Sequence, residues 1–295
     1  MQTVKELRNK IDSAEDLQSV VKTMKVLATI SIQQYERAVE SLDEYSRTIE
    51  MGLQVILMSS EENINIAEPD QESRIGIIVI GSEQGMSGNF NNEIVTFAAD
   101  KIKELGVNQE NRVTMSLGER ITGRLEDEGI PIDEPMPFFP GSLYGIMDIL
   151  NEILFRIEEW RFNRNIEKII LFHHKLISKV SYEPNMLQLL PVDREWLKDL
   201  KNKEWSSPSL PTFTMDWNQL FSALIREYLF VSLYQAFVES LASENASRLA
   251  AMQSAEKNIE ERLEELNSQY HVQRQSAITA ELLDIVAGFE AVSGN

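Results

Sequence analysis

The sequence predicts an α/β domain inserted between two long helices that pair with each other as an antiparallel coiled coil. Three observations predict it. Residues 216–289 hold no proline and a single glycine, Gly288, and their apolar residues recur three and four apart, the spacing of one helical stripe. The chain before Gly52 has neither proline nor glycine and carries a heptad-like alternation of its own. Between them, over 74–191, short β-branched runs alternate with amphipathic stretches, the pattern of an α/β domain with a largely parallel sheet.

Taken in order, residues 1–58 form the first coiled-coil helix. Its seam runs through Val4, Leu7, Ile11 and Ala14, then Leu17, Val21, Met24, Ala28, Ser31, Tyr35, Ala38, Leu42, Tyr45 and Ile49. The step from Ala14 to Leu17 is three residues where four is due, which reads as a stammer. Small residues (Ala14, Ala28, Ser31, Ala38) and large ones (Tyr35, Tyr45) alternate irregularly, so the partner is not a copy of the same helix but the C-terminal helix running the other way. Residues 59–73 read as a polar link containing Pro69.

The α/β domain spans 74–191. Arg74–Gly81 is a buried-strand run, followed by a glycine turn and a helix from Asn91 to Leu105. Arg112–Leu117 is a strand and Glu119–Asp127 a short helix. Ile130–Phe138 is an edge strand limited by Pro131, Pro135 and Pro137. Ser142–Trp160 is a helix, Ile166–His174 a strand and Lys179–Pro191 a further strand. Residues 192–215 read as a connecting loop with Pro208 and Pro211. Residues 216–290 form the second coiled-coil helix, with Leu220, Leu224, Val231, Val238, Leu241, Leu249, Met252, Ile259, Leu263, Leu266 and Tyr270 on its stripe. At 1.5 Å per residue it is about 110 Å long, so it must project and needs a partner along its length.

Chemistry is sparse. The chain of 295 residues has no cysteine, which removes disulfides, thiolate metal sites and cysteine nucleophiles and fits a reducing compartment. A net charge of −19 disfavours nucleic acid and anionic lipid as ligands. Met1–Asn9 lacks the apolar core of a signal peptide, and the most apolar long window, Leu220–Ala242, contains Arg226, Glu227 and Glu239. A cytosolic protein that docks on a membrane assembly without inserting is expected. The loop Gly81-Ser-Glu-Gln-Gly85-Met-Ser-Gly88 lies between a strand and a helix but has neither the G-x-G-x-x-G spacing nor a following Gly-Lys pair. Gly85 and Gly88 read as a tight structural turn with close backbone packing. His173 and His174 are adjacent on a strand and point to opposite faces, so they cannot share a metal. Glu158-Glu159, Glu260-Glu261 and Glu264-Glu265 read as solvated helix faces. No catalytic constellation, cofactor site or metal site emerges, and the pattern is that of a mechanical or scaffolding part. A homo-oligomeric coiled-coil scaffold with an α/β head is the alternative, and an α/β enzyme with helical arms a third reading.

Three stretches carry a family likeness. One is Arg8-Asn-Lys-Ile11 with Lys22-Thr-Met24-Lys25-Val. The second is Ser82-x-x-Gly85-x-x-Gly88-x-Phe90-Asn91. The third joins Ala242-Ser-Glu244-Asn-Ala246-Ser-Arg248-Leu-Ala-Ala-Met252 to the run Arg274-Gln275-Ser276-Ala277-Ile278-Thr279-Ala-Glu281 that continues to Gly288. In these the chain, from about residue 4 to 290, resembles the gamma subunits of F-type ATP synthases, the central rotor stalks. The resemblance implies a non-catalytic shaft that couples ion-driven rotation of a membrane c ring to sequential change at the catalytic sites of an alpha–beta hexamer. It implies alpha and beta subunits, an epsilon subunit and the c ring as partners, and a peripheral place on the cytoplasmic face of a bacterial energy-transducing membrane. It further implies that Arg274 and Gln275, with Thr279 and Glu281, contact a beta subunit, and that Met24 and Lys25 face the beta subunits. Phe289, Ser87, Thr29–Gln34 and Thr214-Met215-Asp216 depart from the family pattern, marking a divergent branch.

Overall fold

The computed structural model describes residues 3–59, 74–136, 143, 145–178, 181–205 and 207–293. The expected polar link over 60–73, Pro137 at the edge strand, the first residue of the expected helix at Ser142 and the first of the last strand at Lys179 lie outside the described residues. Eleven elements longer than a single turn follow one another. They are α1 (Val4–Ser59), β1 (Arg74–Ile80), α2 (Phe90–Leu105), β2 (Arg112–Leu117), α3 (Glu119–Asp127), β3 (Glu134–Met136), α4 (Ile146–Arg164), β4 (Ile166–Ser178), β5 (Ser181–Leu190), α5 (Arg194–Asn202) and α6 (Trp217–Ser293). The α/β module therefore does lie in sequence between two long helices. The chain divides into two compact units, one of residues up to Leu27 together with those from Leu249 on, the other Ala28–Arg248.

In the first unit, α1 and α6 pack antiparallel. Leu7 and Ile11 cluster with Leu266, flanked by Leu263 and Tyr270. Further along α1 the partners lie earlier on α6: Gln18 Nε2 donates to Glu260 Oε1 (3.5 Å), and the Lys25 ammonium meets the Glu256 carboxylate. The expected stammer is absent. Leu17 is 53% exposed, and Gln18 takes the inward position. The seam thus runs Leu7, Ile11, Ala14, Gln18, Val21, Lys25, Ala28, Ile32, Tyr35 in unbroken steps of four and three, each residue at least partly buried. Following apolar residues alone misses this phase, because two seam positions are polar and satisfied across the interface.

Within the second unit, too, α1 and α6 lie against each other. Gly52 packs against Leu224, where an added Cβ would lie 3.1 Å from a Leu224 methyl, and the Trp217 indole N–H donates to the Ile56 carbonyl (3.0 Å). Tyr45, expected in the seam, is 43% exposed and donates its hydroxyl to Glu227 (2.8 Å).

The sheet of this unit has the order β3-β2-β1-β4-β5. The first four strands are parallel and β5 is antiparallel to β4. Alternation along β1 divides the core. Ile75, Ile77 and Val79 face α2 and α3 through Ile94, Ala98, Ile102, Ile121 and Leu125. Ile78 and Ile80 face a larger cluster with Ile149, Ile153 and Trp160 of α4, Leu53, Ile56 and Leu57 of α1, and Leu233 and Phe237 of α6. A strand with both faces covered must be apolar throughout, which is why the run of isoleucines belongs here. Trp160 lies over Gly76, where an added Cβ would be 2.6 Å from the indole ring, and its Nε1–H donates to Glu134 Oε1 (3.0 Å).

Two elements differ from expectation. The connecting stretch 192–215 contains α5, opened by the Asp193 side chain accepting from the Glu195 N–H (2.8 Å) and held by buried Leu197 and Leu200. Those two leucines are three apart, one helical face. β4 runs on to Ser178, and β5 pairs with it over that extension, Leu176 opposite Tyr182 and Ser178 opposite Ser181. β1 stops pairing with β4 at Phe172, so the far halves of β4 and β5 form a two-stranded arm.

Candidate functional site

The glycine turn after β1 is filled by its own side chains. Asn91 Oδ1 accepts from the Ser82 N–H (2.9 Å), and Asn91 Nδ2 donates to Ser82 Oγ (2.7 Å). Ser82 Oγ in turn donates to the Gln84 carbonyl (3.0 Å). The amide that would greet a phosphate is thus already satisfied, and Glu83 stands beside it, which fits the structural-turn reading over the nucleotide reading. Gly88 has φ +57°, a conformation that favours glycine. Gly85 is different from expectation: its φ is not left-handed and an added Cβ would meet open space. The other left-handed residue of the turn is Met86, with φ +62°.

α6 passes this turn fully enclosed. From Ser240 to Arg248 every residue is buried, six of them polar. Ser247 Oγ donates to the Ser87 carbonyl (2.5 Å), and the Tyr182 hydroxyl donates to Ser247 Oγ (3.0 Å). One strand-arm face presents His173, whose Nε2 lies 3.2 Å from Glu239 Oε2, while Gln235 donates to Glu239 Oε1 (2.9 Å). Burial works to raise the Glu239 pKa, but the hydrogen bonds from His173 and Gln235 outweigh it and hold the carboxyl below its ordinary value. His174 points the other way, its ring tilted 31° to that of Phe90 with centroids 4.1 Å apart, so the two histidines do occupy opposite faces. On a further side of α6, Arg248 pairs with Glu244 and donates to Asn245 Oδ1 (3.2 Å). Burial, with Glu83 adding to it, raises the Glu244 pKa against the pull of Arg248. Tyr35 of α1 is pushed up to about 12, first by burial and then by Glu244. These groups are structural: none is a nucleophile with a base at hand.

The expected contact residues fall in two places. Met24 and Lys25 are half-buried on α1, with Lys25 engaged by Glu256. Arg274, Gln275, Thr279 and Glu281 are all exposed near the end of α6, about 27 Å along the helix from Glu256 at 1.5 Å per residue. They are brought together with something the sequence reading passed over. From Ile278 to Phe289 every residue of α6 is exposed, although Ile278, Leu282, Leu283, Ile285, Val286 and Phe289 are large and apolar. At 100° per residue Ile278, Leu282, Ile285, Val286 and Phe289 share an arc of about 100°, with Gln275 in line with it. Arg274 and Glu281 border one side and Thr279 the other. The opposite face holds Ala280, Asp284 and Ala287. The signal was available as a mismatch in length: α6 has 77 residues and α1 has 56. With Leu7 near Leu266, α1 has no residue left to cover this end. Exposed apolar faces of this kind mark interaction surfaces.

The expected acidic pairs lie on exposed or half-buried helix surface, Glu158 near Arg226 (3.4 Å) and Glu265 with Arg262 (2.6 Å). No helix among the described residues is long and apolar enough to cross a membrane.

A family model described as ATP synthase matches residues 3–292. The ATP synthase gamma chain of Nautilia profundicola is 27% identical over 306 residues, covering 99% of each chain. That of Sulfurovum sp. is 25% identical, covering 99% of this chain and all of its own. Among solved structures, a chain of the Euglena gracilis mitochondrial ATP synthase rotor superposes with a TM-score of 0.60 at 15% identity, over 93% of this chain and 98% of that one. A chain of the Tetrahymena thermophila mitochondrial ATP synthase central stalk and c ring gives 0.57 at 16% identity, over 80% of this chain and 99% of its own.

Proposed function

The chain belongs to the ATP synthase family, among its gamma chains, and from that premise we propose that it works as the central rotating shaft of an F-type ATP synthase or ATPase. Its partners are an alpha–beta hexamer around the shaft, and an epsilon subunit and a membrane c ring at the α/β module. It carries no catalytic site and sits at the periphery of an energy-transducing membrane. Rotation of the ring turns the module and, through α6, presents different faces to each catalytic site in turn.

The observation that carries this reading is the bare end of α6. An apolar arc from Ile278 to Phe289 is exposed in the chain alone, and a contiguous apolar face of this kind marks a surface that another protein covers. The arc has one apolar and one small, acidic side, so its contacts differ with rotation. A shaft that touched every state equally would shift none of them. Arg274 and Glu281 on one border and Thr279 on the other read those differences at a beta subunit in this proposal, which their exposure supports. Met24, half-buried beside the Lys25–Glu256 pair, contributes the second level of contact.

Co-expression with alpha and beta subunits from the same genome tests the reading, with the native mass of the purified complex as the measurement. One copy of this chain to three alpha–beta pairs is expected. A folded chain that joins no hexamer and instead associates with itself would replace the shaft by the scaffold reading.

A further inference from the structure

A shaft must receive turning force as well as deliver it. Resting on the shaft reading above, we propose that force enters α6 through a polar clamp, in which His173 and Tyr182 of the β4–β5 arm grip Glu239 and Ser247.

Three observations carry this. First, the arm lies beyond the reach of β1, which pairs with β4 only as far as Phe172. One side of it meets α2, with His174 and Tyr182 against the Phe90 ring, and its polar contacts reach α6 through His173 and the Tyr182 hydroxyl. Second, the two grips stand eight residues apart on α6, about 12 Å along the axis and about 80° around it. His173 Nε2 holds Glu239 Oε2 at 3.2 Å, and the Tyr182 hydroxyl holds Ser247 Oγ at 3.0 Å. Two anchors offset in both height and angle resist sliding along the helix and turning about it, where one anchor resists neither well. Third, Ser247 is engaged twice: its own hydroxyl donates to the Ser87 carbonyl at 2.5 Å, so the glycine turn and the arm meet α6 at one atom.

The chemistry suits the task. The surrounding contacts of α6, through Leu233, Phe237 and Leu241, are apolar. Apolar burial is non-directional and tolerates a shift in phase. Hydrogen bonds weaken steeply with angle, and a buried polar group pulled from its partner is left unsatisfied. Phase between module and helix is therefore held by the polar grips, while affinity comes from the apolar packing. His173 and Tyr182 act as positioning residues and touch no nucleotide.

The test uses the assembled complex in vesicles, with ATP hydrolysis and proton or sodium uptake followed together by dyes against an increasing opposing gradient. Tyr182→Phe removes one oxygen and leaves its ring against Phe90 and His174. His173→Leu removes the other grip, and His173→Gln returns an N–H donor. Expected are an unchanged melting temperature for Tyr182→Phe, hydrolysis near wild type without a gradient, and a loss of ions moved per ATP that grows with the gradient. The loss is larger in the Tyr182→Phe, His173→Leu pair and is relieved by His173→Gln. If wild type pumps and Tyr182→Phe with His173→Leu pumps equally well under load, the clamp is wrong. Equal losses in His173→Gln and His173→Leu overturn it as well. If wild type itself moves no ions, it is the shaft reading that falls.

Discussion

Lys25 and Glu256 form an ion pair inside the α1–α6 seam, seven residues beyond Gln18 on α1 and four before Glu260 on α6. The side chains are only 28% and 18% exposed, so salt screens them weakly. A charged residue at a seam position lowers affinity but fixes register, since every slipped alignment strands the charge. Lys25→Ala leaves the Glu256 carboxylate without this partner and is expected to cost about 1–3 kcal/mol in urea unfolding. Replacing both by leucine recovers most of that loss, as exchange of a buried pair for apolar packing commonly does. A double variant as unstable as the single one would show that the pair contributes more than register.

Gly76 exists for Trp160. A Cβ at Gly76 would stand 2.6 Å from the indole and 3.3 Å from an Ile166 methyl. The ring cannot retreat without breaking its hydrogen bond to Glu134. Gly76→Ala is therefore expected to destabilise by about 1–3 kcal/mol, the usual range for overpacking, read as a lower melting temperature with the secondary structure intact. Unchanged stability would mean that α4 moves freely over the sheet.

The order of strands and helices was legible because each periodicity was strong: β1, β2 and α3 begin where their patterns do. The phase of the seam was not. Leu17 is the apolar residue where Gln18 is the one turned inward and half-buried, and nothing in a hydropathy pattern says that Gln18 will meet Glu260 across the interface. α5 was hidden by its brevity, nine residues with two buried leucines. The contact roles proposed for Arg274, Gln275, Thr279 and Glu281 rest on family likeness alone; the structure shows only that all four are exposed. The apolar arc beside them is written in plain helical spacing, but the stripe traced along α6 stops at Tyr270, and only the exposure of Ile278, Leu282 and Val286 in the structure sets the arc apart from the seam.

His174 gives the fold an acid limb. Burial first, then neighbouring His173, pushes its pKa from 6.5 down to about 3. Below pH 6.5 the unfolded chain binds a proton there that the folded chain refuses until about pH 3, so stability falls as pH drops through that window. The slope approaches about 1.4 kcal/mol per pH unit for one proton. His174→Leu removes this term and keeps an apolar side chain against Phe90. Its stability is expected to vary less than wild type between about pH 6.5 and 5, a window in which ordinary carboxylates stay ionised. Glu244, whose raised pKa works with the opposite sign, is common to both proteins and cancels in the comparison. Parallel pH profiles would mean that His174 gains a partner when it is protonated.

The bare end of α6 separates folding from assembly. Ile278, Leu282 and Val286 lie on one face and are all exposed, so changing them to serine removes only weak contacts along the helix itself. Each substitution is expected to alter the stability of the isolated chain by less than about 0.5 kcal/mol. The triple variant should still lose retention on an alpha–beta hexamer, because the arc loses the apolar area a surrounding protein would cover. Arg274→Ala leaves the arc whole and removes only a charge at its border. It is expected to assemble normally and to move fewer ions per ATP. Retention of the triple variant at wild-type strength would place the hexamer contact elsewhere on the chain. Normal pumping by Arg274→Ala would remove that border from the coupling contact, leaving Thr279 on the other side as the residue to change next.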